Sequence, residues 1–483
     1  MLLIASVLLT TCIYCYYWYK FSFFSRLGIP GPRPVLFLGN MMDSLQKPWM
    51  TVAKRHEQTY GMVYGVYEFA TPKLVISDPV ILRNIMVRDF AHFTDRITTR
   101  FAHPIEQKMM FVLKGEEWAA WRKIMTPAFS PQKLKAMTSH IQSAVDHLIT
   151  EIRKRADKER RVHVRSACTN FSLEVIAKAG LGIEMNLHEE TTPVVEAVKQ
   201  YFDVSPAKMA LGLLLPRWLK AAIGFTAFNK QGLEATCQLV KAVMRERRNK
   251  LTQDNNYADF TSILLSASMN GNPIPEDEIV ANIMVLFLGG FDVVARLTSI
   301  TIFLLANHPD VQQRVYEEVM TVCQGDGSHI DFESVKGIKY MEAVMNETLR
   351  IYPAATFTER MVSKEYNLNG IKLPVGMAVM IPIYNLHHDE KYHPDPETFD
   401  PDRFMPDRIG DMDASTFLPF SQGPRSCPGN RFTFLEAKIA LSRLLLEFKF
   451  AKCSDVPDRL DISDTAADVL MVSDFAVLVE KRS

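Results

Sequence analysis

The stretch Phe420-Ser-Gln-Gly-Pro-Arg-Ser-Cys-Pro-Gly429 does most to identify the fold of this chain. It contains a single thiol, Cys427, in a run rich in glycine and proline. Backbone amides of such a turn can donate hydrogen bonds to the sulfur, which stabilises a thiolate and tunes a metal bound to it. The residues from Asn430 onward have the periodicity of a helix, whose N-terminus would favour negative charge on the same sulfur. The stretch therefore predicts a thiolate that ligates iron, and the alternative is a structural cysteine buried in a turn.

The same ten residues resemble the haem-binding loop of the cytochromes P-450. They match that loop at Phe420, Gly423, Arg425, Cys427 and Gly429. The resemblance implies haem b as the cofactor, with the Cys427 thiolate as the axial iron ligand. It also implies cofactor contacts at Phe420 and Gly429, and a bond from Arg425 to a haem carboxylate.

A second signature lies between Tyr340 and Pro353, where helical periodicity places Glu347 and Arg350 on one face. The resemblance extends to this run and to the Pro-x-Arg-Phe segment that contains Arg403. In the family these three residues would form a buried ion-pair triad behind the haem. A buried guanidinium must be paired and hydrogen-bonded, or it costs several kcal/mol. We therefore interpret the triad as structural.

The longest predicted helix runs from Pro275 to Ala306, with proline and acidic residues in its first turn. Gly289 and Gly290 lie near its middle, where each glycine costs about 1 kcal/mol. A large group is therefore expected against that spot. The resemblance makes this the central helix over the haem, with Gly290 in contact with the cofactor. It implies a mainly α fold, in which a large helical lobe accompanies a small β-rich lobe. Strand-like runs near residues 61–67, 73–77 and 379–383 would supply its sheet.

Four further residues match positions that bind the haem carboxylates in this family. Trp118 and Arg122 resemble a Trp-x-x-x-Arg helix whose two ends bond a propionate. Arg96 and Arg360 fall where propionate-binding arginines lie in the microsomal drug- and steroid-oxidising branch, which also includes thromboxane synthase. Arginine suits this task because its planar fork matches a carboxylate. Each arginine taken singly is more often a surface charge.

One departure from the family pattern lies on the central helix. Asp292 takes the position of the family's acid and is the predicted catalytic residue for proton relay. Val293 stands where a threonine usually follows, and valine has the shape of threonine without its hydroxyl donor. Arg296 lies one turn further and can pair with Asp292.

The predicted function is that of a haem-thiolate monooxygenase. It would insert one oxygen atom of O2 into a lipophilic small molecule, with NADPH electrons from a P-450 reductase and cytochrome b5 as an optional further partner. Lys123, Arg431 and Lys438 are candidate contacts for an acidic reductase, with a solvated charged face as the alternative. The predicted substrate pocket consists of Gly290, Phe291, Ala354, Ala355, Phe357, Val469 and Leu470.

Two alternatives to the monooxygenase stay open. Val293 is compatible with an NADPH-independent isomerase of a peroxide or endoperoxide, similar to thromboxane synthase, because such a reaction needs no proton delivery. A haem-binding carrier or sensor without turnover fits the same motifs.

The N-terminus predicts a membrane anchor at residues 1–20, because residues 2–19 are uncharged and end in a cluster of aromatic side chains. Lys20 and Arg26 follow, which by the positive-inside rule places the later residues in the cytosol. Residues 21–34 would form a proline-rich hinge, and 35–483 the catalytic domain at the endoplasmic reticulum membrane. A cleaved signal peptide is the alternative, disfavoured by bulky aromatics where small cleavage-site residues belong.

Composition limits the remaining classes. Lys+Arg and Asp+Glu are equal at 55 each, so nothing points to nucleic acid or another polyanion as a partner. Seven cysteines without regular spacing argue against a disulfide framework or a Cys-x-x-Cys metal site.

Overall fold

Helices make up most of the molecule. The computed structural model describes residues 2–97, 103–183, 185–188, 196–197, 200–201, 208, 211–212, 215, 217–226, 228–251, 259–269, 271–323, 330–410, 412–462 and 469–482. The α-helices in these ranges are α1 (Leu2–Phe21), α2 (Phe23–Arg26), α3 (Met41–Gln46), α4 (Trp49–Tyr60), α5 (Pro79–Arg83), α6 (Pro104–Gln107), α7 (Gly115–Met125), α8 (Pro131–Lys158), α9 (Val164–Leu181), α10 (Arg217–Ala222), α11 (Lys230–Leu251), α12 (Phe260–Ser266), α13 (Glu276–Asn307), α14 (Pro309–Val322), α15 (Phe332–Gly337), α16 (Tyr340–Ile351), α17 (Ile383–His387), α18 (Pro406–Ile409) and α19 (Asn430–Glu447). Short 3-10 turns lie at Phe90–His92, Thr126–Phe129 and Pro401–Phe404, and a π turn at Asn84–Arg88.

The strands are short and belong to small sheets. They are β1 (Val63–Glu68), β2 (Thr71–Ile76), β3 (Arg161–Val162), β4 (Ser268–Met269), β5 (Asn272–Pro273), β6 (Thr358–Met361), β7 (Tyr366–Leu368), β8 (Ile371–Leu373), β9 (Ala378–Ile381), β10 (Phe448–Lys452) and β11 (Val477–Lys481). The main sheet has the order β1-β2-β9-β6, and only its β2–β9 pair is parallel. A second sheet has the order β10-β11-β3, and two hairpins pair β4 with β5 and β7 with β8. The predicted mainly α fold with a small β-rich lobe is confirmed.

The central helix α13 crosses the core of the helical lobe. Pro275 precedes it, and Glu276, Asp277 and Glu278 occupy its first turn, where negative charge favours the helix dipole. Helix α13 is long and apolar enough to cross a membrane by length and composition, but 65% of its apolar window is buried inside the protein. It therefore has the character of a core helix, packed against α9.

The β-rich lobe also holds part of the predicted hinge. The ring of Phe24 fills the space beside Gly65, where a Cβ would come within 2.3 Å of it. The amide of Gly65 donates to the carbonyl of Pro30 at 2.9 Å, and Ile29 is buried. Residues 24–30 are thus attached to β1 of the domain.

Candidate functional site

The loop around Cys427 is held by its own backbone and by the segment beneath it. The amide of Cys427 donates to the carbonyl of Phe420 at 2.9 Å, and that of Ser426 to Gly423 at 2.9 Å. Gly423 has φ +72°, and a Cβ there would lie 1.8 Å from the carbonyl oxygen of Met86. Glycine is therefore required by the approach of Met86, as well as by the turn itself.

Cys427 keeps exposed surface in the loop, although protein surrounds its thiol on most sides. Burial raises the pKa of the thiol, while the amides of Gly429 and Asn430 and the guanidinium groups of Arg96 and Arg122 act in the opposite direction. Helix α19 begins at Asn430, so the predicted amide donors and helix N-terminus are both present.

Three arginines lie together beside this loop, and we call Arg96, Arg360 and Arg425 the arginine cluster. Arg360 and Arg425 are buried, and Arg96 is half-buried. Arg96 Nη2 donates to the carbonyl of Arg425 at 3.0 Å. Arg425 itself donates from Nη2 to the carbonyl of Leu113 at 2.7 Å. Arg360 has no exposed surface, and its Nη2 donates to the Oγ of Ser421 at 3.0 Å.

The arginine cluster carries more positive charge than its described neighbours neutralise. Within the part of the chain that the structure describes, neither Arg360 nor Arg425 has a salt bridge, and the Nε of Arg360 has no hydrogen-bond acceptor. Burial, followed by Arg96 and Arg425, lowers the pKa of Arg360 well below its ordinary value. Burial, followed by Arg96, lowers the pKa of Arg425 to about 9. Because guanidinium groups hold their protons firmly, an anionic partner relieves this strain better than deprotonation does. The cluster fits the two carboxylates of a haem.

Helix α7 brings the other two predicted carboxylate contacts to the same loop. The ring centre of Trp118 lies 4.1 Å from the Arg425 guanidinium. One turn later, Arg122 Nη1 donates to the carbonyl of Ser426 at 2.7 Å. Burial lowers the pKa of Arg122, and the neighbouring Cys427 raises it. Both predicted residues therefore flank the loop.

The ion-pair triad is present as predicted. Glu347 and Arg350 are completely buried on α16, and Arg350 donates from Nε and Nη2 to the two carboxylate oxygens, each at 2.7 Å. Arg403 Nε lies 3.5 Å from Glu347 Oε1, and the amide of Asp400 donates to the same oxygen at 3.0 Å. Arg350 also donates to the carbonyl of His387 at 2.9 Å. The triad joins α16 to the segments before the cysteine loop.

The two glycines of the central helix border different surroundings. A Cβ at Gly290 would lie 2.6 Å from Cδ1 of Ile176, so the missing side chain makes room for α9. Among the described residues, nothing lies within 4 Å of the corresponding position at Gly289. The cofactor contact at Gly290 stays a prediction, since the direction of a Cβ does not decide what its backbone contacts.

Asp292 and Arg296 form the predicted pair on α13. Arg296 Nη2 lies 2.8 Å from Asp292 Oδ2, and the Asp292 side chain is 38% exposed whereas that of Arg296 is 8% exposed. Burial lowers the pKa of Arg296, and Asp292 raises it. Val293, the next residue, is half-buried.

Some contacts of the site could not be found from the sequence. Ser421 has a positive φ of +60°, and its hydroxyl accepts a hydrogen bond from Arg360. The family pattern of this loop specifies Phe, Gly, Arg and Cys, so it gives no indication of the role of Ser421. Lys438 is buried, and its Nζ donates to Glu342 Oε2 at 2.6 Å. A buried lysine cannot contact a reductase, so Lys438 is no longer a candidate contact. Lys123 and Arg431 are exposed.

Known proteins share this architecture over nearly the whole chain. The family model Cytochrome P450 matches residues 29–474. Cytochrome P450 3A16 of Mus musculus is 30% identical over 475 residues, which cover 95% of this chain and 93% of that protein. Cytochrome P450 3A7 of Homo sapiens is 31% identical over 468 residues, with 94% and 91% covered, and Cytochrome P450 3A9 of Rattus norvegicus is 30% identical over 478 residues, with 96% and 93% covered. The predicted resemblance is confirmed: the chain belongs to the cytochrome P450 family, whose members hold haem b through a cysteine thiolate and incorporate oxygen from O2 into their substrates.

Proposed function

We propose that this chain is a membrane-bound monooxygenase in which Cys427 is the axial haem ligand. It inserts one oxygen atom of O2 into a lipophilic small molecule, with electrons from an NADPH-dependent reductase. One observation carries the assignment of the site: the exposed Cys427 and the arginine cluster meet at a single loop, through the contacts of Arg425 and Ser421. A haem needs both, because its iron takes a thiolate and its two carboxylates take cations.

The protein holds the cofactor and controls protons around it. When bound, the haem supplies the activation of dioxygen and the transfer of one oxygen atom. Amides of Gly429 and Asn430 stabilise the thiolate form of Cys427. The arginine cluster, with Trp118 and Arg122, would hold the haem carboxylates, and Phe420 and Gly429 would shape the loop beside the cofactor.

The ligand assignment is tested by the spectrum of the reduced, carbon-monoxide-bound protein. We expect the red-shifted Soret band of a thiolate-ligated haem, and we expect Cys427→Ser to abolish it. Cys453→Ser is the control, because Cys453 is also a free cysteine but is buried and lies outside the loop. A thiolate band that survives in Cys427→Ser would overturn the assignment.

Asp292 is the residue we assign to the proton relay, and Val293 marks its weak point. The valine cannot donate or accept a hydrogen bond, so water must complete the path alone. The same valine favours a second candidate, an NADPH-independent isomerase of a peroxide or endoperoxide. Incubation with reductase, NADPH and a total lipid extract under labelled O2 separates the two: the monooxygenase yields labelled products only with NADPH. Fast turnover of an endoperoxide without NADPH or label would favour the isomerase.

We assign residues 1–20 to a membrane anchor, with the catalytic domain on the cytosolic side of the endoplasmic reticulum. Helix α1 supports this, because its side chains are largely exposed and apolar and Lys20 follows them. Arg26 lies 4.2 Å from the ring centre of Tyr19, at the boundary of the exposed helix. Protease added outside sealed microsomes should digest the domain after Pro34, and protection of that domain would contradict the orientation.

We assign the reductase to the surface near Lys123 and Arg431, with cytochrome b5 as a second acidic partner for the same face. Both residues are exposed, Lys123 lies next to Arg122 on α7, and Arg431 lies in the first turn of α19. Electrons delivered there would enter on the side of Cys427.

A further inference from the structure

Arg296 on the central helix binds two partners that belong to different parts of the site. Its Nη2 lies 2.8 Å from Asp292 Oδ2, and its Nη1 donates to the carbonyl of Leu470. The residue is only 6% exposed, so water does not readily replace either partner. A planar guanidinium can serve two partners in fixed directions, which an ammonium group cannot do.

Leu470 belongs to a stretch that we call the pocket-wall segment, residues 469–472. Its amide donates to the carbonyl of Ala354 at 3.2 Å, and Val469 forms an isolated β-bridge with Ala355. Val469 is 37% exposed while Leu470 is buried. The segment therefore lies between the predicted pocket residues after α16 and the Arg296 side chain.

A second arginine reaches the same segment without touching the acid. Arg165, at the start of α9, donates from Nη1 to the carbonyl of Val472 at 3.1 Å. Within the described residues it makes no hydrogen bond or salt bridge to Asp292, whereas Arg296 binds Asp292 and the pocket-wall segment at once. Arg165 is therefore a suitable control residue for Arg296, because both bind the pocket-wall segment and Arg296 also binds Asp292.

From this geometry we infer that Arg296 is a positioning residue for the oxygenation reaction. It holds the carboxylate of Asp292 in one orientation. Because the same guanidinium also binds the carbonyl of Leu470, this orientation depends on the position of Leu470. A ligand that displaces the pocket-wall segment then also displaces the acid. The inference rests on the proposed function, in which Asp292 serves the proton relay.

The test compares Arg296→Gln, Arg165→Gln and Asp292→Asn in the purified haem-bound protein. The first measurement is hydrogen–deuterium exchange at the Leu470 amide, which needs no turnover. The second is NADPH oxidation with reductase and a total lipid extract, in water and in deuterium oxide. Positioned acids and bases contribute about 10²- to 10⁴-fold to enzymatic rates, so we expect Asp292→Asn to slow NADPH oxidation by about 10²-fold or more. Arg296→Gln leaves the acid in place but unoriented, and we expect it to slow NADPH oxidation about tenfold. Both variants should enlarge the solvent isotope effect.

The control variant Arg165→Gln and the double variant distinguish a positioning role of Arg296 from a general destabilisation of the pocket-wall segment. Arg165→Gln should speed exchange in the pocket-wall segment but leave the oxidation rate and isotope effect within about twofold of the parent, as it removes no contact of the acid. Adding Arg296→Gln to Asp292→Asn should cause no further loss of rate. If Arg296→Gln fails to fold, Arg296→Lys keeps a buried cation without the second arm, and faster exchange at Leu470 is still expected.

The outcomes separate this inference from the function beneath it. Equal rate losses in Arg165→Gln and Arg296→Gln, or parental exchange and rate in Arg296→Gln, would overturn the positioning role alone. A parental rate and isotope effect in Asp292→Asn would instead overturn the relay role of Asp292 in the proposed function.

Discussion

The cysteine loop and the central helix are built on different principles. In the loop, nearly every unusual feature has a buried partner: Gly423 meets Met86, Arg360 meets Ser421, and the triad of Glu347 anchors the preceding segments. On α13, Gly289 borders open space among the described residues, and Asp292 and Val293 are only half-buried.

This difference explains why the chain follows the family pattern on one side and departs from it on the other. Removing one partner of a buried ion pair, or adding a side chain to a glycine packed against a carbonyl, causes a large loss of stability. A residue beside open space can change from threonine to valine at little cost to the fold, and only the chemistry is affected. Each of the following predictions probes one side of this comparison.

The largest effect is expected from breaking the triad. Glu347→Gln leaves Arg350 buried without a counter-ion, which should lower the free energy of unfolding by about 3–5 kcal/mol. Urea unfolding monitored by circular dichroism measures it. Glu333→Gln removes an exposed partner of Lys336 and should cost at most about 1 kcal/mol. Similar losses of unfolding free energy in both variants would show that the buried triad does not stabilise the segments before the cysteine loop.

Acid should lower the free energy of unfolding through the buried histidines near the triad. Burial lowers the pKa of His388 and of His393 to about 4, and that of His387 well below its usual value. Histidine in the unfolded chain titrates near 6.5, so between about pH 6.5 and 4 the unfolded state binds more protons. The free energy of unfolding should therefore fall as the pH drops through this window, by about 1.4 kcal/mol per pH unit for each such histidine.

Urea midpoints at several pH values between 7.5 and 5 measure this slope. His393→Gln, which removes one of the buried imidazoles next to Thr416, should reduce the slope by about one proton. An unchanged slope would exclude His393 as a contributor to the acid sensitivity.

Val293→Thr probes the open side and should have a moderate effect on chemistry with little on stability. A threonine hydroxyl gives the neighbouring water one more hydrogen bond, worth about 1 kcal/mol, or roughly a fivefold change in the partition between product and peroxide. We expect more product per NADPH oxidised. Val293→Ala changes the volume without adding a donor and should bring no such gain. If Val293→Thr leaves the ratio unchanged, proton delivery is not limited at this position.

The smallest effect is expected at the proposed reductase surface. Lys123→Glu and Arg431→Glu should each raise the reductase concentration needed for half-maximal NADPH oxidation by a few fold at low salt, since exposed charges act mainly on encounter. Salt should reduce the difference. Lys372→Glu, an exposed charge reversal on the β7–β8 hairpin, is the control. Equal responses of all three variants would remove the assignment of the surface.

The sequence by itself determined the features that depend on local chemistry. The turn residues and the helix after Cys427 depend on neighbours a few positions away, as does the pairing of Glu347 with Arg350 one turn along α16. The bounds of α13 follow from Pro275 with its acidic first turn and from Pro309 after its end. These features depend on residues close together in the sequence, so they can be predicted without knowledge of the fold.

Only the tertiary structure decided which remote segment lies opposite each residue. Gly290 faces Ile176 of α9, Lys438 is buried against Glu342, and Arg296 reaches Leu470, although nothing near these residues in the sequence distinguishes them from their neighbours. The physical reason is that packing and buried hydrogen bonds are set by chain segments far apart in sequence. A residue's type limits what it can bind, and the fold chooses the partner.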